Sequence, residues 1–177
     1  YLAINEKISL NPILNSFQPT VNYFNIGKEL IDQFLRSMEM HLDQKKYDSN
    51  VIKEYILGSA EVVGLMCLHV FCNNDHVLYQ QLKPYAMSLG SAFQKINFLR
   101  DLNADFVGLG RSYFPDIDLN RFDDKNKKLI EESIEKDFHD GYRGICQLPR
   151  TSRFGVYVAY VYYVALFKKI RNTTSEK

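Results

Sequence analysis

The chain is short of cysteine, of net charge and of apolar runs long enough to span a membrane, and each shortage excludes something. Its three cysteines, Cys67, Cys72 and Cys146, form no C-x-x-C pair and leave an odd thiol. Such usage points to a reducing, cytoplasmic compartment, with each cysteine a small buried hydrophobe rather than part of a disulfide framework. A formal net charge of +1 gives no electrostatic ground for nucleic acid as a partner. The longest apolar run, Val156 to Phe167, falls short of the roughly 20 residues that cross a bilayer, so a buried bundle helix is expected there. No secretory signal pattern is visible. Strand patterns, internal repeats, low-complexity segments, phosphate-cradling glycine loops and supported Ser/His/Asp or Cys/His arrangements are also missing from the sequence.

What remains is 177 residues with 46% hydrophobic content, enough to bury one sizeable core. The expectation is a single all-α domain over residues 1–177, a bundle of about six helices, the architecture that builds metal sites on helix faces. The sequence opens at Tyr1, in mid-pattern, and is read as the C-terminal part of a longer protein.

The most informative stretch runs from Pro84 to Pro115. Read as a helix, it sets Gly90, Gln94, Asn97, Asp101 and Asp105 on one face, at steps of four, three, four and four. The remaining faces carry Met87, Leu89, Phe93, Ile96, Phe98 and Leu99, so the helix is packed nearly all round. Two carboxylates one turn apart repel each other and would destabilise a bare helix. They make sense around a hard divalent cation, since Mg²⁺ takes one or two carboxylates plus substrate phosphate oxygens. The reading is therefore Mg²⁺ on Asp101 and Asp105, with Asn97, holding a diphosphate whose charge Arg100 helps to balance. A neighbouring apolar tunnel would hold a hydrocarbon tail and exclude water.

The rest of the chain reads as follows. Asn11-Pro12 and Gln18-Pro19 mark boundaries in a turn-prone opening. From Ile26 to about Leu42, a helix sets Leu30, Ile31, Phe34, Leu35, Met38 and Leu42 towards the core, with Glu39 and Asp43 on a solvated face. After an N-cap at Ser49 or Asn50, Val51 to Phe71 form one long helix, thinned by Gly58, Ser59, Ala60 and Gly64. Small residues there allow either close packing or a ligand, and beside the acidic helix a channel wall is the sharper expectation. His69 reads as a satisfied core histidine. Asn73-Asn74-Asp75 form a turn, His76 to Leu82 a short helix, and Pro84 opens the central one. Asp116, Asp118, Asp123 and Asp124 belong to a solvated loop. Leu129 to Ile145 form an amphipathic helix with Ile130, Ile134, Phe138 and Ile145 inward. The last helix, Ser152 to Arg171, carries Tyr157, Tyr160, Tyr162 and Tyr163, mostly as core.

These residues also carry a family resemblance. Q-x-x-N-x-L-R-D-x-x-x-D followed by G-R-x-Y-x-P, here Gln94, Asn97, Leu99, Arg100, Asp101, Asp105, Gly110, Arg111, Tyr113 and Pro115, resembles the second aspartate-rich motif of the squalene and phytoene synthases. YILGSAEVVGLM, Tyr55 to Met66, and SRFGVYVAYVYYVALFKKI near the end resemble two further helices of that family, in the same order and spacing. Two departures stand out: Glu61 takes the place of a glycine, and His41 that of an aspartate. The resemblance implies a terpenoid-synthase-type helical bundle, incomplete at its N-terminus. It implies substrate contacts at Tyr55, Ala60, Val63, Gln94, Arg100 and Tyr163, and catalytic and metal-binding roles for Asp101 and Asp105.

Its chemistry would be head-to-head joining of two prenyl diphosphates with Mg²⁺ or Mn²⁺. Val63 to Met66, the DLNAD spacing and the SRF segment favour a bacterial phytoene synthase acting on geranylgeranyl diphosphate. A squalene or dehydrosqualene synthase using farnesyl diphosphate is the alternative, with NADPH only for squalene. The family's first aspartate-rich motif has no counterpart before residue 40. This chain alone is thus expected to be inactive, and a non-catalytic binding or assembly protein is the competing reading. A hydrophobic substrate and product leave room for loose membrane contact of a cytoplasmic protein.

Overall fold

The computed structural model describes residues 1–43, 48–109, 113–114 and 124–173, with side chains from 1–40, 48–102, 113–114 and 124–173. Among the described residues eight α-helices appear in order: α1 Leu2–Glu6, α2 Pro12–Tyr23, α3 Lys28–Asp43, α4 Ser49–Ile56, α5 Val62–Cys72, α6 His76–Leu109, α7 Asp124–Gln147 and α8 Arg150–Arg171. A π-helical turn, Leu57–Glu61, joins α4 to α5. Among the described residues there is no strand, as the sequence implies.

Local chemistry sets most of the ends. The Asn11 side chain accepts from the N–H groups of Ile13 and Leu14, and Pro12 fills the first turn of α2, where a missing N–H costs nothing. Pro19 is not a boundary; it lies inside α2. That helix is held from outside instead, because Gln18 donates to the Lys7 carbonyl at 2.9 Å and Asn22 to that of Ile4 at 3.1 Å. α4 is capped by Asp48, not by Ser49 or Asn50. The Asp48 carboxylate accepts from the N–H groups of Asn50 and Val51, both at 2.9 Å.

The central helix is longer than the sequence suggests. His76 to Leu82 and the stretch from Pro84 form one rod, α6, of 34 residues. Asn73 and Asn74 turn the chain with φ of 48° and 66°, and Asp75 accepts from the Leu78 N–H to start the helix. Burial on both sides of Pro84 outweighs the single hydrogen bond it lacks: Tyr79 and Leu82 lie in one core cluster, Ala92 and Ile96 in another.

Glycines govern how the rods meet. A Cβ on Gly58 would lie 2.6 Å from the Gln33 carbonyl oxygen, so the π-turn rests directly on α3, above the fully buried Ser37. Gly90 and Gly64 do the same between α5 and α6: their Cβ atoms would lie 2.8 Å from the Ala60 carbonyl oxygen and 3.0 Å from that of Ala86. Residue 60 therefore faces residue 90 and residue 64 faces 86, an antiparallel register. On the other side of α6, Ala92, Ile96 and Leu99 pack with Ile130, Ile134 and Phe138 of α7 and Phe167 of α8.

Several expected burials differ. Leu35 and Met38 are 55% and 36% exposed, since the close approach at Gly58 turns Ser37 inward instead. α8 is no buried helix. It packs on one side only, leaving Tyr157, Val158, Val161 and Tyr162 exposed. Cys67 and Cys146 are exposed, and only Cys72 is buried. The continuous helix Ser49–Cys72, 24 residues long, is long and apolar enough to cross a membrane by length and composition. Counting uninterrupted apolar residues overlooks it, because Ser59, Glu61 and His69 break the run. In the bundle its apolar faces lie between α3 and α6.

Gly58→Ala should lower unfolding free energy by about 1–3 kcal/mol in urea melts, because a backbone carbonyl must move. Gly155→Ala on α8, with nothing within 4 Å of its Cβ, should instead raise it by about 0.5–1 kcal/mol.

Candidate functional site

α6 carries the polar stripe through a helix otherwise committed to core. Gln94 is half-buried, and the Oδ1 of Asn97 is buried without a hydrogen-bond partner. A buried amide oxygen with no donor is costly and rare, so a cation or donor from outside the chain is the expected complement. Two turns beyond Gln94, Asp101 is held by its neighbour: Arg100 Nε and one terminal nitrogen donate to the two carboxylate oxygens at 2.8 and 2.7 Å. These hydrogen bonds hold the Asp101 carboxyl below the usual carboxylate range, so it is ionised at neutral pH. Both side chains are near half exposure, 50% for Arg100 and 42% for Asp101, so the pair contributes little to stability. The backbone of Asp105 follows one turn later on α6; its side chain, and Gly110, Arg111, Pro115, Asp116, Asp118 and Asp123, lie outside the described residues, as does the His41 side chain. Tyr113 is buried. Among the described residues no three His, Cys, Asp or Glu side chains cluster as a metal site.

Beside this stripe lies a cavity of about 600 Å³. Ser59, Ala60, Val63 and Gly64 form one wall and Gly90, Phe93 and Gln94 the facing part of α6, with α7 and α8 closing the sides. Leu68, Leu82 and Leu148, members of one buried cluster, line its far end. Along α6 the lining extends from Leu82 to Gln94, which is about 18 Å at the helical rise per residue. The small residues of the Tyr55–Met66 stretch thus divide two tasks: Gly58 serves packing, while Ser59, Ala60 and Gly64 face the cavity, Gly64 doing both.

Of the residues predicted from sequence, Ala60, Val63 and Gln94 are brought together on the cavity wall. Tyr163 stands just behind it, stacked on Phe93 with ring centroids 3.9 Å apart. Tyr55 is elsewhere, in a buried aromatic stack with Phe98 and Tyr113 at 6.0 and 6.2 Å. Glu61 is not on the wall either. Burial and the Asp137 carboxylate push its carboxyl above the usual range, partly offset by Lys95. Lys95 is itself committed to Asp137 at 2.7 Å, and Ser91 donates to the same carboxylate. His69 stacks on Tyr79 at 4.0 Å, and burial lowers its pKa, in keeping with a packed histidine. Sequence reasoning missed the floor residues and Gly141 and Gly144, which let α7 approach Leu89 and Tyr85. Two glycines three residues apart on an amphipathic helix were the available signal.

The family model for squalene/phytoene synthase matches residues 3–176. The chain belongs to that family. The 15-cis-phytoene synthase of Synechocystis sp. is 29% identical, over 85% of this chain and 52% of that protein. The 4,4'-diapophytoene synthase of Staphylococcus haemolyticus is 24% identical, over 73% of this chain and 44% of its own length. The crystal structure of squalene synthase HpnC from Alicyclobacillus acidocaldarius superposes with a TM-score of 0.81 at 20% identity, covering 96% of this chain and 68% of that one. That likeness establishes the terpenoid-synthase-type fold. The chain spans about half the length of the curated relatives it matches.

Glu61, whose carboxyl is pushed up by burial, gives a pH test. Its folded-state pKa is raised, so the folded protein holds the proton more tightly, and stability is lost as pH rises from about 4.5 through the folded value. Glu61→Gln should therefore melt higher than the parent at pH 7, with the difference closing below pH 4.5. A constant difference across that range would contradict the assignment.

Proposed function

We propose that this chain supplies the second-motif half of the active site of a prenyltransferase that joins two C20 prenyl diphosphates head to head, as a phytoene synthase does. The observation that carries the reading is that one face of α6 carries an ionised carboxylate and an orphaned amide oxygen and leads, through Gln94, into an apolar slot. Slot length favours the longer tail. Three backbone bonds span about 3.5 Å, so a four-bond isoprene unit spans roughly 4.7 Å and four units about 19 Å, close to the slot. A C15 chain, at about 14 Å, would leave the floor unfilled.

The donor set suits a hard divalent cation: Asp101, Asp105 and the Asn97 amide oxygen would hold Mg²⁺ or Mn²⁺. When bound, that ion supplies Lewis-acid stabilisation of the departing diphosphate. Arg100 adds permanent positive charge at the same end, within reach of phosphate oxygens. Gln94 orients the head where the slot begins. Ala60, Val63 and Phe93 keep the tail extended and exclude water, which would otherwise trap an allylic cation.

The intact protein containing this chain, given geranylgeranyl diphosphate and Mg²⁺, is expected to form a C40 hydrocarbon without NADPH. Asp101→Asn should cut the rate at least about 100-fold, the usual cost of losing a charge-stabilising group, without loss of fold by circular dichroism. Binding without turnover would favour the assembly-protein reading, and undiminished turnover in the variant would remove Asp101 from the site.

A further inference from the structure

We propose that Ser59 stabilises the cationic carbon of the substrate: its hydroxyl oxygen faces the positive charge that forms on the allylic carbon as the diphosphate leaves. The inference rests on the prenyl-transfer reading above. In that step the C1–O bond breaks, the electron pair departs with the diphosphate oxygen, and the charge stays on the allyl group; Ser59 forms no bond and transfers no proton.

Three observations meet at this residue. First, the Ser59 Oγ is buried and has no hydrogen-bond partner. Three other helical serines satisfy themselves on a nearby carbonyl, Ser37 on Phe34 at 2.7 Å, Ser88 on Pro84 at 3.1 Å and Ser152 on Pro149 at 3.3 Å, while Ser91 bonds Asp137. Second, Ser59 lies within the π-turn Leu57–Glu61, a deformation that costs helix stability and recurs at functional sites. Third, it lines the slot wall, and the contact of Gly90 with Ala60 sets it opposite Ser91, about 4.5 Å inward of Gln94 along the helix. Ser91 to Asp101 is about 15 Å along the helix, room for a metal-bound diphosphate between the carboxylate and the allylic carbon. A hydroxyl with free lone pairs in an apolar wall is a preorganised dipole, and such dipoles act most strongly where water is excluded.

The test uses two prenyl analogues, one with an ammonium nitrogen at the allylic carbon and its neutral carbon isostere. Each is titrated with inorganic pyrophosphate and Mg²⁺ into the intact protein by calorimetry. The ammonium analogue should bind the parent about tenfold more tightly or better. In Ser59→Ala that preference should fall about tenfold, affinity for the neutral analogue should hold, and the melting temperature should not drop, since the change removes an unsatisfied group. An unchanged preference in Ser59→Ala overturns the proposal. If neither analogue binds the parent, the prenyl-transfer reading fails and this proposal with it.

Discussion

The close approach of the α4–α5 rod to α6 is the constraint on which the rest depends. Gly58, Gly64 and Gly90 let backbone meet backbone, and two of those contacts fix the antiparallel register of residues 60 with 90 and 64 with 86. With that register set, the small-residue wall from Ser59 to Gly64 lies opposite Ala86 to Ser91, just inward of Gln94. A slip of one turn would set Leu57 or Val63, in place of Ala60, against Gly90 and close the slot. The cavity is thus a by-product of tight packing on either side of it: helices that touch through glycine leave no room at the contact and some beyond it.

The polar stripe is the price of function on a core helix. Asn97 keeps a buried oxygen without a donor, and Ser59 a buried hydroxyl without an acceptor, each a destabilising feature that a purely structural bundle would replace with alanine or leucine. Asp101, by contrast, is half exposed and already balanced by Arg100. The carboxylate is therefore held ionised at little cost in the free chain, and in the proposed reaction the adjacent guanidinium would be the cation offered to an incoming diphosphate. Unsatisfied groups beside the slot and a satisfied pair at its mouth describe a site ordered before any ligand arrives.

Much of this was legible because it is written in residue type and spacing. The stripe from Gly90 to Asp105 follows helical geometry, and the inward residues of α7 follow the same period. Asn11-Pro12 and Asn73-Asn74 are local signals with local causes. What failed depends on tertiary context. Pro19 and Pro84 read as boundaries, yet side-chain bonds to the Ile4 and Lys7 carbonyls and burial around Leu82 carry the helices past them. Leu35, expected in the core, is exposed while Ser37 is buried, because Gly58 lies against α3, a contact invisible in either stretch alone. Tyr55 shares its segment with Ala60 and Val63, yet it turns to Phe98 and Tyr113 rather than to the cavity. The tyrosines of α8 were expected as core, whereas one-sided packing leaves several exposed. The floor of the slot, made by residues from α5, α6 and the α7–α8 link, has no signature along the chain.

The central claim is that one face of α6 grips a metal-bound diphosphate while the adjoining slot takes its tail. Crystals of the intact protein grown with Mn²⁺ and a non-hydrolysable C20 prenyl diphosphate would test it, with anomalous scattering locating the metal. The expected result is a manganese peak on the Asp101 carboxylate, at an oxygen-ligand distance of roughly 2.0–2.2 Å, and tail density running past Ala60 and Phe93 to Leu82. A metal bound away from α6, or a tail lying outside the slot, would contradict it.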